Sequence, residues 1–250
     1  MTLRLMSFNL RINSKSDGPQ NALEKRIPRI FSVINKYSPD ILAVQELTPP
    51  LQKKLESRFA SYTCIFRQRG KIDKEGCGIF IKNTAAEILY YNTFWLSRRP
   101  EKPGSRICFS IIPRICIFCE LKLKGGCKLR VFNTHLDAGS SRIRAKQTKA
   151  LLSYINERGK NECMPDILCG DFNCGPNSSV ITDIGTIYHN TMLNFDKTTF
   201  NGFKNIKNGR PIDFIFLGGQ LKKCTAEIIY DSFDGFSPSD HYPIMVDLEI

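Results

Sequence analysis

Asp166-Ile167-Leu168-Cys169-Gly170-Asp171-Phe172-Asn173 is the stretch from which the rest of the chain is read. Ile167, Leu168 and Cys169 form a short apolar run, the mark of a buried strand. The run enters Gly170, where a backbone without Cβ can turn sharply or approach another group closely. An acid, an aromatic and an amide follow. Strand alternation puts Asp171 and Asn173 on one side and Phe172 on the other. A carboxylate beside a carboxamide can hold a water and a charged oxygen together, because the acid accepts and the amide both donates and accepts. Asp and Asn are also common turn residues, so the stretch reads equally as a plain turn. The remaining strands decide whether it has partners.

Several other apolar runs end the same way. Leu3 to Leu10 alternates and passes through Asn9, and Ile41 to Val44 runs on to Glu46. Lys128 to Leu136 contains Asn133 and His135, and Arg210 to Leu217 carries Asp213. Asp240-His241 stands just before the apolar Ile244 to Leu248. Further strands are predicted at Glu75–Lys82, Ala86–Tyr91, Ile107–Leu123 and Ala226–Tyr230, while Tyr62–Arg67 is left without an assignment. Ile107–Leu123 and Lys128–Leu136 are joined as a hairpin at Gly125-Gly126. Thr93–Ser97, with the only Trp at position 95, precedes a basic loop from Arg98 to Arg106. Helices are predicted at Arg26–Tyr37, Leu51–Phe59, Ser141–Asn156 and Ser178–Ile184 from apolar spacing.

Strands therefore dominate, with helices interspersed. Two mostly antiparallel sheets packed face to face with helices outside, a four-layer α+β sandwich, fit this order. A doubly wound parallel sheet fits worse, because several strands are joined by short Gly turns. The 250 residues, 42% of them hydrophobic and with no linker-like tract, point to one domain over residues 1–250.

The net charge of +12, from 36 Lys and Arg against 24 Asp and Glu, suits an anionic partner or simply a basic surface. No apolar run is long enough to span a bilayer, which argues against integral membrane association and makes the cytoplasm the default location. Ten cysteines agree with that compartment. Cys108, Cys116, Cys119 and Cys169 lie in apolar runs and read as buried free thiols. Cys116 and Cys119 would face opposite sides of a strand, not a shared metal.

The chemistry lies in the set Asn9, Glu46, His135, Asp171, Asn173, Asp213, Asp240 and His241, which includes two of the three histidines. Strand ends of packed sheets share a rim, so these groups can converge. Buried acids crowded together repel unless a cation relieves them. Oxygen-rich ligands favour Mg²⁺, or Mn²⁺, over Zn²⁺. A hard cation beside His and Asp is suited to phosphoryl chemistry. Singly, His135 reads as well as a core histidine and Asp213 as a buried acid paired with a lysine.

Met6-Ser7-Phe8-Asn9, Val44-Gln45-Glu46, Asn133-Thr134-His135-Leu136-Asp137, Gly170-Asp171-Phe172-Asn173, Pro211-Ile212-Asp213-Phe214-Ile215 and Ser239-Asp240-His241 resemble, in order and spacing, the endonuclease/exonuclease/phosphatase superfamily of deoxyribonuclease I-like folds. The resemblance covers nearly the whole chain. It implies Mg²⁺-dependent phosphoester hydrolysis, with Glu46, Asn9 and Asp240 at the metal. Asp171 would orient or deprotonate water, Asn173 would bind the phosphate, and His241, held by Asp213, would stabilise charge or act as acid/base. His135 matches the deoxyribonuclease-like branch, with Glu75 placed to hold it. Arg114 and Asn133 would contact substrate. The segments Phe94–Ser97, Pro103–Ser105 and Pro113-Arg114 look like those of small bacterial members. Nucleic acid is slightly favoured as substrate over phospholipid or sugar-phosphate esters, since no long exposed apolar hairpin is evident. The alternative from another class is a binding module that has lost its chemistry, which the filled polar positions oppose.

Overall fold

Alternation along the strands divides the core in two. In β1 (Thr2–Asn9) Leu3 and Leu5 enter one apolar cluster, whereas Met6 and Phe8 enter another. In β2 (Ile41–Leu47) Ile41 and Ala43 join the first and Leu42 and Val44 the second. Both faces of these strands are buried, which is why they read as nearly continuous apolar runs. The computed structural model describes residues 2–71, 74–159, 164–221 and 224–250.

The second cluster is capped by α1 (Leu23–Tyr37) and α2 (Pro49–Arg58), through Ile27, Ile30, Val33, Ile34, Leu51 and Leu55. The strand next to β2 is β4 (Gly76–Lys82), flanked by β3 (Tyr62–Gln68). The other sheet contains β5 (Ala86–Trp95), β6 (Ile115–Leu123), β7 (Lys128–His135), β8 (Asp166–Asp171), β9 (His189–Asn190) and β10 (Asp213–Leu217). Leu151 and Ile155 of α3 (Ser141–Gly159) and Val180, Ile181 and Ile184 of α4 (Ser179–Gly185) belong to the first cluster. The chain returns through β11 (Cys224–Ile228) and β12 (Ile244–Glu249). The sheet orders are β11-β12-β1-β2-β4-β3 and β5-β6-β7-β8-β10-β9. Each has one parallel pair, β1 with β2 and β7 with β8, and the rest are antiparallel. This is the four-layer sandwich expected.

The topology makes one rim. Parallel β1 and β2 end there, as do parallel β7 and β8. Their antiparallel neighbours start there: β10 with Asp213 opposite Asp171, β4 with Gly76 opposite Leu47, and β6 with Cys116 opposite Thr134. Ile244 of β12 faces Ser7 of β1, so residues 240–241 lie beyond Asn9.

Three local expectations change. Ile107–Leu123 is not one strand: β6 begins at Ile115, and residues 107–114 are turns. Cys108 there is exposed, not a buried thiol. Ala86–Tyr91 and Thr93–Trp95 are a single strand whose register shifts between Ile88 and Tyr90. Trp95 is core, and its indole donates to the Arg69 carbonyl at 2.8 Å.

Candidate active site

The strand ends meet around one carboxylate. Asp171 is 1% exposed. Its Oδ1 accepts from the Asn173 amide at 2.8 Å, and its Oδ2 accepts from Asn9 Nδ2 at 3.0 Å. His135 Nε2 and His241 Nε2 stand 3.5 and 3.7 Å from the same Oδ2, longer than hydrogen bonds but within reach of a bridging water. The strand ends at Asp171, and Asn173 takes φ +52. The turn and the site are thus the same structure. That left-handed turn sends Asn173 Nδ2 to the Leu136 carbonyl at 3.0 Å, and the residue remains half-exposed.

His241 Nδ1 is 2.9 Å from Asp213 Oδ2. Burial opposes a charged ring, yet Asp213 and then Asp171 outweigh it and raise His241 to about 10. Burial, then Asp213, pushes Asp171 up to about 7. Thr199 fixes Asp213 from behind, its Oγ1 accepting from the amides of Ile212 and Asp213 at 3.0 and 3.1 Å. The Phe200 ring lies edge-on to His241 at 5.1 Å. His135 is the electrostatic opposite of His241. Burial, with Arg114 and Arg69 nearby, holds it well below the usual histidine range, so its ring is neutral. Glu75 Oε1 is 3.6 Å from His135 Nδ1, and Glu75 is also paired with Arg69. Arg114 is 5% exposed, and its Nε and Nη1 have no hydrogen-bond partner among the described residues; Glu75 is 3.8 Å away. A buried guanidinium so placed is ready for an anion.

Glu46 sits at φ +55, where the register between β2 and β4 shifts. Its Oε2 accepts from the Ile12 amide at 2.8 Å and its Oε1 from Asn9 Nδ2 at 3.3 Å. Asp240 is tied to the same corner: Ser239 Oγ donates to the Asn9 carbonyl at 2.7 Å, and Arg11 Nε is 3.5 Å from Asp240 Oδ2. Burial raises the Asp240 pKa despite His241 and Arg11. Two donor groups could hold a cation. Buried Asn9 and Asp240 and half-buried Glu46 offer oxygens at one corner. Asp171, Asp213 and His241 have ligand atoms within 4.8 Å of one another, but there the ring already carries a proton and is bonded to Asp213.

Asn133 does not belong to the opening. It is 0% exposed, its Nδ2 donates to the Val44 and Gly78 carbonyls at 2.9 Å each, and its Oδ1 accepts from Gln45 Nε2 at 2.7 Å. It joins the two sheets below the rim and cannot touch a ligand. Three arginines and a threonine here escaped the sequence reading: Arg11, Arg69, Thr199 and Arg26. Arg26 is 0% exposed and donates to the carbonyls of Asn21, Leu10, Arg11 and Ile12 at 2.6–3.1 Å, fixing the loop that carries the Ile12 amide. The available signal was its place in the first turn of α1, one residue before buried Ile27.

Comparison with known proteins places the fold among relatives. A mannosyl-6-phosphatase from Bacteroides thetaiotaomicron superposes with a TM-score of 0.91 at 25% identity, covering 99% of this chain and 100% of that one. Nocturnin from Xenopus laevis is 26% identical over 205 residues, 72% of this chain and 50% of nocturnin. Protein angel homolog 2 from Danio rerio is 28% identical over 163 residues, 60% of this chain. The chain spans half or less of the length of these two relatives. The family model for the endonuclease/exonuclease/phosphatase family matches residues 6–241, and with the strand ends gathered as described, the chain belongs to that family.

Proposed function

We propose that the protein is a Mg²⁺-dependent phosphoester hydrolase of the cytoplasm, acting first on phosphodiester bonds with an activated water and accepting Mn²⁺ as a substitute. The fold is that of phosphoester hydrolases. The observation that carries the reading is the convergence of Asn9, His135 and His241 on Asp171 Oδ2, beside Glu46 and Asp240. Asn9, Glu46 and Asp240 would hold the metal, since their oxygens suit a hard cation. Bound there, Mg²⁺ would withdraw charge from a phosphate oxygen.

The chain's own groups do the rest. Asp171 takes the proton from the attacking water, and its raised pKa makes it a competent base near neutrality. Neutral His135, steadied by Glu75, orients that water without competing for its proton. His241, kept protonated by Asp213, faces the negative charge that develops on the phosphoryl and leaving oxygens as the ester P–O bond breaks. Asn173 has donor capacity left for the scissile phosphate, and Arg114 offers its unpartnered N–H groups. The excess of basic residues supports nucleic acid as the first substrate class.

The test is a panel of single- and double-stranded DNA, RNA, sphingomyelin, inositol phosphates and sugar phosphates, each with Mg²⁺ and with EDTA. Turnover should need the metal, and Glu46→Ala, His135→Ala and His241→Ala should each abolish it with the fold unchanged by circular dichroism. Wild-type rates in EDTA or in these variants reject the mechanism. A monoester substrate is the second reading, favoured by the end-to-end match to a mannosyl-6-phosphatase.

The pH profile should be bell-shaped. The base must lose its proton, so rate rises with pH through an acid limb at or below about 7, a bound cation drawing it lower. The imidazolium must keep its proton, so rate falls as pH passes about 10. A flat profile of kcat/KM from pH 5 to 11 contradicts these assignments.

A further inference from the structure

Residues 97–113 leave the body of the protein just before β6. The excursion is closed at its base by the Leu96 amide on the Arg114 carbonyl at 2.9 Å, and again by Trp95 on Pro100 at 2.8 Å. Ser97 Oγ and Ser105 Oγ bond at 2.7 Å. At its tip the Ser110 amide donates to the Ile107 carbonyl at 2.9 Å, and both residues are buried. Within this turn only Phe109 has positive φ, at +70. That is the type II pattern, whose third position is strain-free for glycine and strained for a side chain. Phe109 is nonetheless 89% exposed, and Ile111, two residues on, is 85% exposed. The tip is ordered by the Ser110 hydroxyl on the Ile112 carbonyl and by Arg106 Nη1 on the Ile111 carbonyl, 2.7 and 2.8 Å. A strained backbone thus presents two large apolar side chains that bury nothing within the chain. In the same excursion Arg98, Arg99, Lys102 and Arg106 are exposed, against the single acid Glu101, and Arg106 is bonded to the tip itself.

We propose that this tip seats the protein on the surface of an anionic phospholipid membrane. Phe109 and Ile111 enter the boundary between headgroups and acyl chains, and the four cations lie on the anionic headgroups. Charge complementarity selects an anionic surface, and aliphatic Ile111 favours lipid over nucleic acid, because it has no ring on which a base can stack. No helix among the described residues is long and apolar enough to cross a membrane, so attachment is peripheral. The excursion ends at Arg114, 3.8 Å from Glu75, so the tip is joined to the site by only three residues after Ile111. This surface is independent of which phosphoester the site cleaves.

Flotation of the full chain with vesicles of phosphatidylcholine alone, or mixed with phosphatidylglycerol, tests it. The wild type should float with the anionic vesicles at least about tenfold better than with neutral ones, and Phe109→Ser/Ile111→Ser should lose about tenfold of that binding. Arg98→Gln/Arg99→Gln/Arg106→Gln should erase the preference for anionic lipid. Phe109→Gly should also float poorly while its melting temperature stays level or rises, because glycine relieves the turn. The proposal fails if the wild type ignores anionic vesicles or if the Ser variant floats like the wild type. It also fails if the tip instead retains a labelled single-stranded oligonucleotide, or if light scattering shows a dimer that the Ser variant dissolves.

Discussion

Asp171→Asn should lower turnover by roughly 10²–10⁴-fold, the range for losing a general base. The same change should raise the melting temperature of the metal-free protein at pH 8 by about 2–4 °C, the shift that about 1 kcal/mol produces in a chain of this size. The two effects share a cause. The folded protein holds the Asp171 pKa far above the ordinary 3.8, first through burial and then through Asp213. A group raised in this way contributes its stability below its unfolded pKa and loses it as pH rises through the folded one. At pH 8 the ionised carboxylate therefore strains the fold, and asparagine removes the charge. One hydrogen bond is lost in exchange, because an amide cannot accept from both Asn9 and Asn173. The advantage should shrink as pH falls below about 7 and vanish below about 4, where Asp171 is protonated in the folded and unfolded chain alike. Scanning fluorimetry in EDTA at pH 8 and below about pH 4, beside steady-state rates with Mg²⁺, reads both effects. A variant that turns over like the wild type removes Asp171 from the chemistry. A variant equally destabilised at both pH values removes the electrostatic strain.

Gly170→Ala should prevent folding. Gly170 has φ +139, a region that costs a side chain about 1–3 kcal/mol before any contact is counted. A Cβ there would stand 1.9 Å from the Thr134 carbonyl oxygen. That oxygen is backbone in the parallel β7–β8 pair, with Thr134 opposite Gly170 and His135 opposite Asp171. It cannot swing aside as a side chain would. Relief would require the two strands to part where they carry His135 and Asp171. Against a typical domain stability of about 5–15 kcal/mol, that disruption leaves little folded protein. Recovery of soluble Gly170→Ala with native near-ultraviolet dichroism would show that the strands can separate cheaply here.

Both positions lie in the stretch whose reading was ambiguous between a turn and a site, and the ambiguity has a physical origin. Tight approach of β7 and β8 needs the glycine, and the left-handed Asn173 turns the chain just after the strand, so turn chemistry is the means by which the carboxylate is presented. Most strands were legible because burial on both faces leaves long apolar runs. The rim was legible because polar groups interrupt those runs at their ends. Depth along a strand was not. Asn133 and His135 share a face of β7, but two residues are about 7 Å of rise, enough to separate an inter-sheet amide from an open site. The segment 107–114 misled for the opposite reason: Ile107, Cys108, Phe109 and Ile111 are apolar, yet three of the four are exposed. Arg26 reads only as the start of a helix, because its acceptors are carbonyls, which leave no trace in side-chain patterns.

The placement of β12 between β11 and β1 has a bearing on synthesis. Ser239 and Asp240, which complete the corner of Asn9 and Glu46, emerge about 190 residues after Glu46. The corner therefore closes only through contacts of long sequence separation, which are slow to form.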